Sequence, residues 1–279
     1  MILIADSGST KTLWVSRVGG ELKEYVTAGL NPRMTSEEAF NEVVEAVRER
    51  LVEGCSERLD SIFFYGAGCG TAEVRQRMRG RLAALFEGAE VEVEGDMLGA
   101  CRAVCGNERG AVGILGTGSN SCLYDGRNIV KQRVSTGYVL GDEGSGNHIG
   151  RRLLKDYLEE RMPQDVSTLL HDFCPLTTEE CIDRIYRQSY ANRFFASFVP
   201  FASRHRGHPY VAGVLERCFG EFFDQIDYLQ LNYDKPLHLV GGVASEFEPL
   251  LTALARRRGI TIKTVVQNPK EGLIHYHSM

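Results

Sequence analysis

A short pattern of strand, tight turn and strand occurs twice in this chain, about 110 residues apart. Residues 4–10 (IADSGST) match residues 114–120 (ILGTGSN), and each stretch leads into a further apolar segment. Turns rich in Gly, Ser and Thr direct backbone N–H groups and hydroxyls into a small concave surface, which suits phosphate oxygens. The repeat therefore predicts two similar halves that each bring one turn to a polyphosphate.

The composition is that of a globular protein of 279 residues, with 43% apolar and 25% charged residues. A formal net charge of −5 argues against nucleic acid as a partner. No apolar run approaches the length of a membrane span, and residues 1–5 are too short for the apolar part of a secretion signal. We therefore expect a cytoplasmic protein that binds neither nucleic acid nor membrane.

Apolar periodicity predicts an α/β organisation in both halves. For the first half we expect strands and helices in the order βββαβαβα, with helices over 36–52, 72–86 and 97–104. For the second half we expect a strand over 110–115, helices over 149–160, 178–190, 211–231 and 247–257, and late strands over 236–240 and 260–265. This predicts two lobes, 1–108 and 109–279, with a cleft between them. The sequence leaves open whether the tail from about residue 269 packs on the first lobe.

Each turn contains a glycine, Gly8 or Gly118, that would allow the positive φ and the close approach of the backbone that a phosphate needs. Either turn alone would equally suit an ordinary hairpin. Asp6 ends the first strand, where its carboxylate would hold Mg²⁺ through water or cap the turn. Lys11 would neutralise phosphate charge or lie in solvent. Gly241-Gly242 follows an apolar strand, which suits a flat base lying on backbone or a loop before a helix.

Four motifs follow one another in a specific order: DSGSTKT at 6–12, GTGS at 116–119, GDEGSG at 141–146 and GGVA at 241–244. This series resembles the actin-like ATPase and sugar kinase superfamily. Within it, the second and third motifs resemble the N-acetylglucosamine kinase branch, also called the BadF/BadG/BcrA/BcrD ATPase family. The resemblance spans nearly the whole chain and implies two duplicated actin-like, ribonuclease H-like lobes with an interlobe cleft.

The resemblance also implies an ATP-dependent kinase that uses Mg²⁺, acts as a homodimer and phosphorylates an amino sugar such as N-acetylglucosamine or glucosamine. Asp96 would take the proton from the sugar hydroxyl, although an aspartate there would also suit a helix N-cap. The implied ATP contacts are Gly8, Ser9, Thr10, Lys11, Gly116, Thr117, Gly118, Gly241 and Gly242. The implied sugar contacts are Asn31, Ser119, Asn120 and Asp142.

One departure from the family pattern and one alternative role leave parts of this interpretation open. Animal relatives have an aromatic residue just after the Asn31 position, whereas this chain has Pro32-Arg33-Met34, so the sugar is not fixed. The Asp142-Glu143 pair would alternatively hold a metal or cap the following helix.

Two other functions compete with the kinase. One is an ATP-hydrolysing activator of the 2-hydroxyacyl-CoA dehydratase activator type, which carries an iron–sulfur cluster and a GGQD second phosphate loop. This chain has GTGSN there, and its eight cysteines include no C-x-x-C pair. Cys101 and Cys105 share a predicted helix face, which favours small buried apolar residues over cluster ligands. A non-catalytic sugar sensor is a weaker alternative, because we expect no DNA-binding module before the first lobe or after the second.

Overall fold

The computed structural model describes residues 1–18, 21–32, 34–52, 58–229 and 236–277, which fall into two compact units. Met1–Asn107 and Pro269–Met279 form the first unit, and Glu108–Asn268 form the second. The segment from Pro269 is therefore part of the first unit. Across these ranges, every helix is too short or too polar to cross a bilayer.

The first unit is built on a five-stranded sheet with the order β3-β2-β1-β4-β5. Its strands are β1 (Ile2–Ser7), β2 (Lys11–Val18), β3 (Glu21–Ala28), β4 (Ser61–Gly66) and β5 (Glu90–Gly95). Its helices are α1 (Glu37–Val52), α2 (Ala72–Leu85), α3 (Asp96–Cys105) and, from the end of the chain, α13 (Lys270–His277). Strands β1, β4 and β5 are parallel, so their carboxyl ends share one side of the sheet, here called the first edge.

Both faces of this sheet are covered, as the alternation of side chains along β4 shows. Ile62 and Phe64 pack with residues of α1 and α2, whereas Phe63 and Tyr65 point to the other face, toward α3 and α13. α13 packs so closely on α3 that a Cβ on Gly272 would overlap the α3 backbone. Helix α13, which we expected only as a tail, thus supports the helix that begins at Asp96.

The second unit contains a five-stranded sheet with the order β10-β9-β6-β7-β8. Its strands are β6 (Gly110–Leu115), β7 (Ser119–Tyr124), β8 (Ile129–Gln132), β9 (Leu237–Val240) and β10 (Ile262–Val266). Its helices are α4 (Gly137–Leu140), α5 (Gly146–Leu158), α6 (Gln164–Phe173), α7 (Thr178–Tyr186), α8 (Ala191–Ala196), α9 (Val199–Arg204), α10 (Pro209–Leu229), α11 (Gly242–Glu246) and α12 (Glu248–Arg257).

The two sheets have the same topology, because β6 takes the place of β1, β7 and β8 those of β2 and β3, and β9 and β10 those of β4 and β5. Strands β9 and β10 run parallel to β6, and the carboxyl ends of these three strands form the second edge. The predicted α/β fold with two duplicated lobes is confirmed. One large apolar core joins the second sheet to α5, α10 and α12.

Several predicted boundaries were wrong for local reasons. The helix expected over 149–160 begins earlier, at Gly146, because the Ser145 hydroxyl accepts the N–H of His148. It ends before Glu160, whose φ of 54° is left-handed. The helix expected over 178–190 stops at Tyr186. The hairpin turn at 19–20 and the end of the 211–231 helix fall outside the described residues.

The two hairpin turns differ in length. Ser7 pairs with Thr12 and encloses four residues, whereas Leu115 pairs with Ser119 and encloses three. The residue-for-residue match of the two motifs is therefore wrong at the turn itself. Gly116 lies directly after its strand, although the sequence match set it opposite a residue inside β1.

Candidate functional site

Three strand ends of the first unit lie side by side at the first edge. Ser7 of β1 pairs with Gly66 of β4, and Gly66 pairs with Gly95 of β5. Asp6 lies one residue before the end of β1, and Asp96 directly follows β5. The predicted metal ligand and the predicted general base are thus brought to the same edge, from different strands.

These two carboxyl groups have unusual electrostatics. Burial, and then the nearby charge of Asp96, raise the pKa of Asp6 to about 7 against the opposing effect of Lys11. Burial also raises the pKa of Asp96, although the Met97 N–H donates to its Oδ1 at 2.9 Å. The N-cap position of α3 belongs to Gly95, so Asp96 is not the helix cap.

The first turn is closed by its own backbone and side chains. The Gly8 N–H donates to the Lys11 carbonyl at 2.9 Å. The hydroxyls of Ser7 and Thr12 are 2.8 Å apart and buried. Ser9 is half-buried and Thr10 and Lys11 are exposed, so the predicted phosphate contacts lie at the rim of the unit. The expected positive φ is wrong for Gly8, and equally for Gly118.

Asn31 reaches the first edge because the preceding loop packs on the first turn. The Leu30 N–H donates to Ser7 Oγ at 3.1 Å. A Cβ on Gly29 would lie 2.8 Å from the carbonyl carbon of Ser9, so this close approach requires glycine. The Asn31 side chain lies over Gly68, where a Cβ would be 3.0 Å from Asn31 Cγ.

In the second unit, the turn at residues 116–118 is held by the start of α5. The Gly116 N–H donates to the Gly118 carbonyl at 3.0 Å. The Gly116 carbonyl accepts the Gly146 N–H at 2.8 Å, and the Thr117 carbonyl accepts the Asn147 N–H at 3.0 Å. The backbone N–H groups at the start of α5 therefore fix this turn by donating to the carbonyl oxygens of the turn.

Asp142 holds the same turn from another side. Its Oδ1 accepts the Ser119 N–H at 3.2 Å, and its Oδ2 accepts the Asn147 side-chain amide at 2.8 Å. That amide also donates to the Thr117 carbonyl at 2.8 Å. A Cβ on Gly118 would lie 3.0 Å from Asp142 Oδ2, so the tight approach at Gly118 is to this carboxylate. A carboxylate has about four acceptor positions, and two are used here.

The other predicted sugar contacts of the second unit also make local bonds. Ser119 is buried, and its hydroxyl donates to the Glu143 carbonyl at 2.8 Å. Asn120 accepts the Ser121 N–H at 2.8 Å through Oδ1. The Glu143 carboxylate lies 2.8 Å from the Arg133 guanidinium, which disfavours a metal shared with its neighbour. Ser145, rather than this acidic pair, caps α5.

Gly241 and Gly242 meet the turn at the second edge. Gly241 has a φ of 129°, and a Cβ there would lie 3.2 Å from the Gly116 nitrogen, so the two strand ends are in direct contact. A Cβ on Gly116 or Gly242 would instead meet no atom of the described residues within 4 Å. These two glycines leave space beside exposed backbone, which suits a phosphate or a flat base.

The sequence did not identify three features of the candidate site: Asn147, the loop at residues 66–70 and Arg75. Asn147 has no sequence signal beyond its place at a helix start. Residues 66–70 were not among the predicted site residues, although a GAGCG run directly after a strand is typical of a loop that other groups approach closely. Arg75 donates to the Cys69 and Gly70 carbonyls of this loop, but it lies on the following helix, and the sequence does not connect it with the loop.

The described cysteines are mostly buried, including Cys101 and Cys105 on α3. Cys69 lies at the first edge, where burial first and the charge of Asp96 second raise the pKa of its thiol to about 12. Cys55 lies outside the described residues. Burial of this kind is typical of cysteines that act as small apolar residues.

The chain is similar to known proteins both in sequence and in structure. The sequence matches the BadF/BadG/BcrA/BcrD ATPase family over residues 5–271. A candidate N-acetylglucosamine kinase from Porphyromonas gingivalis is 38% identical, with a TM-score of 0.91 over 99% of this chain and 98% of its own. No curated protein matches in sequence.

Two more distant structures share the fold. A candidate N-acetylglucosamine kinase from Chromobacterium violaceum is 19% identical, with a TM-score of 0.71 over 99% of this chain and 98% of its own. A ROK family glucokinase from Streptomyces griseus, in complex with glucose and AMPPNP, is 17% identical, with a TM-score of 0.56 over 99% and 98%.

Proposed function

This chain belongs to the BadF/BadG/BcrA/BcrD ATPase family, and we propose that it is an ATP-dependent kinase that phosphorylates an amino sugar such as N-acetylglucosamine or glucosamine. The family name supports the use of ATP. The 38% identical relative described as a candidate N-acetylglucosamine kinase supports the class of acceptor.

The observation that carries the proposal is the position of Asp96 at the first edge, together with Asp6 and Asn31. In the proposed reaction, Asp96 takes the proton of a sugar hydroxyl as that oxygen attacks the γ-phosphorus of ATP. A base works best when its pKa is not far below the working pH, and burial raises the pKa of Asp96 in this direction. Asn31 would fix the sugar beside it.

ATP is proposed to bind the two turns and the glycine pair. The contacts are Gly8, Ser9, Thr10 and Lys11 in the first unit, and Gly116, Thr117, Gly118, Gly241 and Gly242 in the second. The open space over Gly116 and Gly242 supports this assignment. The proposed sugar contacts in the second unit remain Ser119, Asn120 and Asp142. Each would accept a hydrogen bond from the sugar at an oxygen lone pair that its local hydrogen bonds do not use.

Asp6 fits a Mg²⁺ ligand. Its carboxylate lies at a strand end beside a second carboxyl group. Burial and the charge of Asp96 raise the pKa of Asp6 despite the opposing effect of Lys11, and a bound cation would offset both causes. Mg²⁺ typically takes one or two protein carboxylates and completes its shell with water and phosphate oxygens. When bound, the ion would offset negative charge on the phosphates.

A sugar screen tests the function. Wild-type protein is incubated with Mg-ATP and N-acetylglucosamine, glucosamine, N-acetylmannosamine or glucose, and products are identified by mass spectrometry. We expect a sugar phosphate from an amino sugar. ATP hydrolysis without any sugar phosphate, together with stoichiometric iron in anaerobically purified protein, would favour the activator. Light scattering tests the further proposal of a homodimer, and cell fractionation that of a cytoplasmic location.

A further inference from the structure

The loop at residues 66–70, here called the wall loop, leaves the sheet at the centre of the first edge. It follows β4, which lies between β1 and β5. Its first residue pairs with Ser7 on one side and with Gly95 on the other. The wall loop therefore stands between the strand ends that carry Asp6 and Asp96.

The wall loop touches the surroundings of two proposed sugar ligands. Gly68 has a φ of 85° and lies beneath the Asn31 side chain. The Cys69 carbonyl lies near Gly95, since a Cβ on Gly95 would be 3.8 Å from it. A sugar bound by both Asn31 and Asp96 would therefore lie next to this loop.

The near end of the wall loop is fixed by backbone. The Ala67 N–H donates to the Ser7 carbonyl at 2.8 Å, and the Cys69 N–H donates to the Gly66 carbonyl at 3.1 Å. The far end is held by a side chain, Arg75 of α2. Its Nη1 donates to the carbonyls of Cys69, at 3.2 Å, and Gly70, at 3.1 Å.

Arg75 also joins the loop to the strand that ends at the proposed base. Its Nε lies 3.4 Å from Glu94 Oε2, and Glu94 is two residues before Asp96. Arginine can bind two carbonyls and a carboxylate at once because its donors form a rigid planar fork, whereas a lysine ammonium is a single point. The guanidinium thus sets the spacing between the loop and the end of β5.

The far end of the loop also has room beside it. A Cβ on Gly70 would meet no atom of the described residues within 4 Å. The φ of Gly70 lies outside the left-handed region, so the conformation itself does not require glycine. Space beside a backbone segment at the proposed acceptor site suits a ring substituent.

We propose that the wall loop lies against the bound amino sugar, with Gly70 beside a ring substituent, and that Arg75 is the positioning residue that holds the loop there. This inference rests on the proposed kinase function. The wall loop and Arg75 would set the affinity for the acceptor, while Asp96 acts on the hydroxyl.

Replacing Arg75 tests the positioning role. Arg75→Ala should weaken binding of N-acetylglucosamine, measured by calorimetry, and raise its KM by about tenfold or more, since small displacements of a binding group are costly. The KM for ATP should change less than about twofold. Arg75→Lys should restore part of the loss. Arg79→Ala, an exposed arginine one turn further along α2, is the matched control and should behave as wild type.

A general structural role would give a different result. It would lower the melting temperature and raise both KM values together, and this outcome would overturn the inference. Unchanged sugar affinity in Arg75→Ala would do the same.

Gly70→Val gives a second test that does not depend on Arg75. It should weaken sugar binding by about tenfold at an unchanged melting temperature, because the new side chain fills the proposed substituent space. Gly80→Val, at another glycine with open surroundings on α2, should not affect sugar binding. If wild type phosphorylates the sugar and Gly70→Val binds it equally well, this inference alone is overturned. If wild type neither binds nor phosphorylates any amino sugar, the proposed function is overturned, and this inference with it.

Discussion

The two turns begin as the same sequence pattern, yet the molecule stabilises them differently. The first turn is closed by its own hairpin, through the Ser7 and Thr12 hydroxyls and a backbone bond to Gly8. The second is held from outside, by the start of α5 and by the carboxylate of Asp142. Duplication therefore preserved the order of strand, turn and strand, but neither the length of the turn nor the interactions that hold it.

The difference changes what the acidic residues can do. Asp142 uses acceptor positions to hold its turn, whereas Asp6 and Asp96 lie at the first edge with pKa values raised by burial. A carboxyl group with a raised pKa is suited to proton transfer or to a cation. We infer that the first edge carries the proposed base and the main contacts to the acceptor. The turn at the second edge would mainly bind nucleotide, with Ser119, Asn120 and Asp142 beside it as further proposed sugar contacts.

The largest expected effect is that of Asp96→Asn. Removing the proposed base should lower turnover by at least about 100-fold, the usual scale for general base catalysis, while nucleotide affinity stays near that of wild type. Steady-state kinetics and a nucleotide titration measure the two quantities. Asp172→Asn, at an exposed carboxylate of α6, should show no loss. A nearly wild-type rate in Asp96→Asn would move the base elsewhere, with Asp142 the next candidate.

A pair of variants at the second turn should show a smaller effect. Both Asp142→Asn and Asn147→Ala loosen the turn, so each should raise the KM for ATP by about tenfold. If Asp142 also contacts the sugar, Asp142→Asn alone should raise the KM for the sugar. An unchanged KM for ATP in Asn147→Ala would show that the bonds to the Thr117 carbonyl and to Asp142 do not matter for nucleotide binding.

The smallest expected effect concerns stability and pH. The pKa of Asp6 is about 7 in the folded protein and near its ordinary value of 3.8 when unfolded. Ionising Asp6 therefore costs the folded state stability as pH rises from about 4 to about 7. Asp6→Asn should stabilise the ligand-free protein at pH 8, on the order of 1–3 kcal/mol, and much less at pH 4. Thermal unfolding at both pH values measures this.

The same variant should lose use of Mg-ATP while retaining affinity for the sugar. Equal stabilisation at pH 4 and pH 8 would mean that the charge of Asp6 is not the cause. Collapse of sugar affinity with intact Mg-ATP affinity would contradict the assignment of the first turn to phosphate.

The sequence predicted the parts of the fold that depend on local pattern. Apolar strands followed by glycine, such as β1 before Gly8 and β9 before Gly241, gave the strand ends and hence the two edges. The structure brings Asp6 and Asp96 to one edge because each lies near the end of a parallel strand. The internal repeat gave the duplication directly.

Contacts between distant segments could not be predicted in this way. The bonds of Asn147 depend on how α5 docks on the turn, and the bond from Arg75 depends on the path of the wall loop. The helix expected over 178–190 stops at Tyr186, and Tyr190, with a left-handed φ of 68°, instead precedes α8. The sequence shows no signal for that backbone conformation. Helix α13 is only eight residues long, too short for its apolar spacing to stand out.

The central claim is that the acceptor sugar binds mainly at the first edge. Amide hydrogen exchange in the presence of each ligand alone tests it most directly. N-acetylglucosamine should slow amide exchange in residues 29–35 and 66–71 of the first unit. A non-hydrolysable ATP analogue with Mg²⁺ should slow exchange in residues 8–12, 116–118 and 241–242. If the sugar slows exchange only in the second unit, and leaves residues 29–35 and 66–71 unchanged, the first edge is not the acceptor site and the account is wrong.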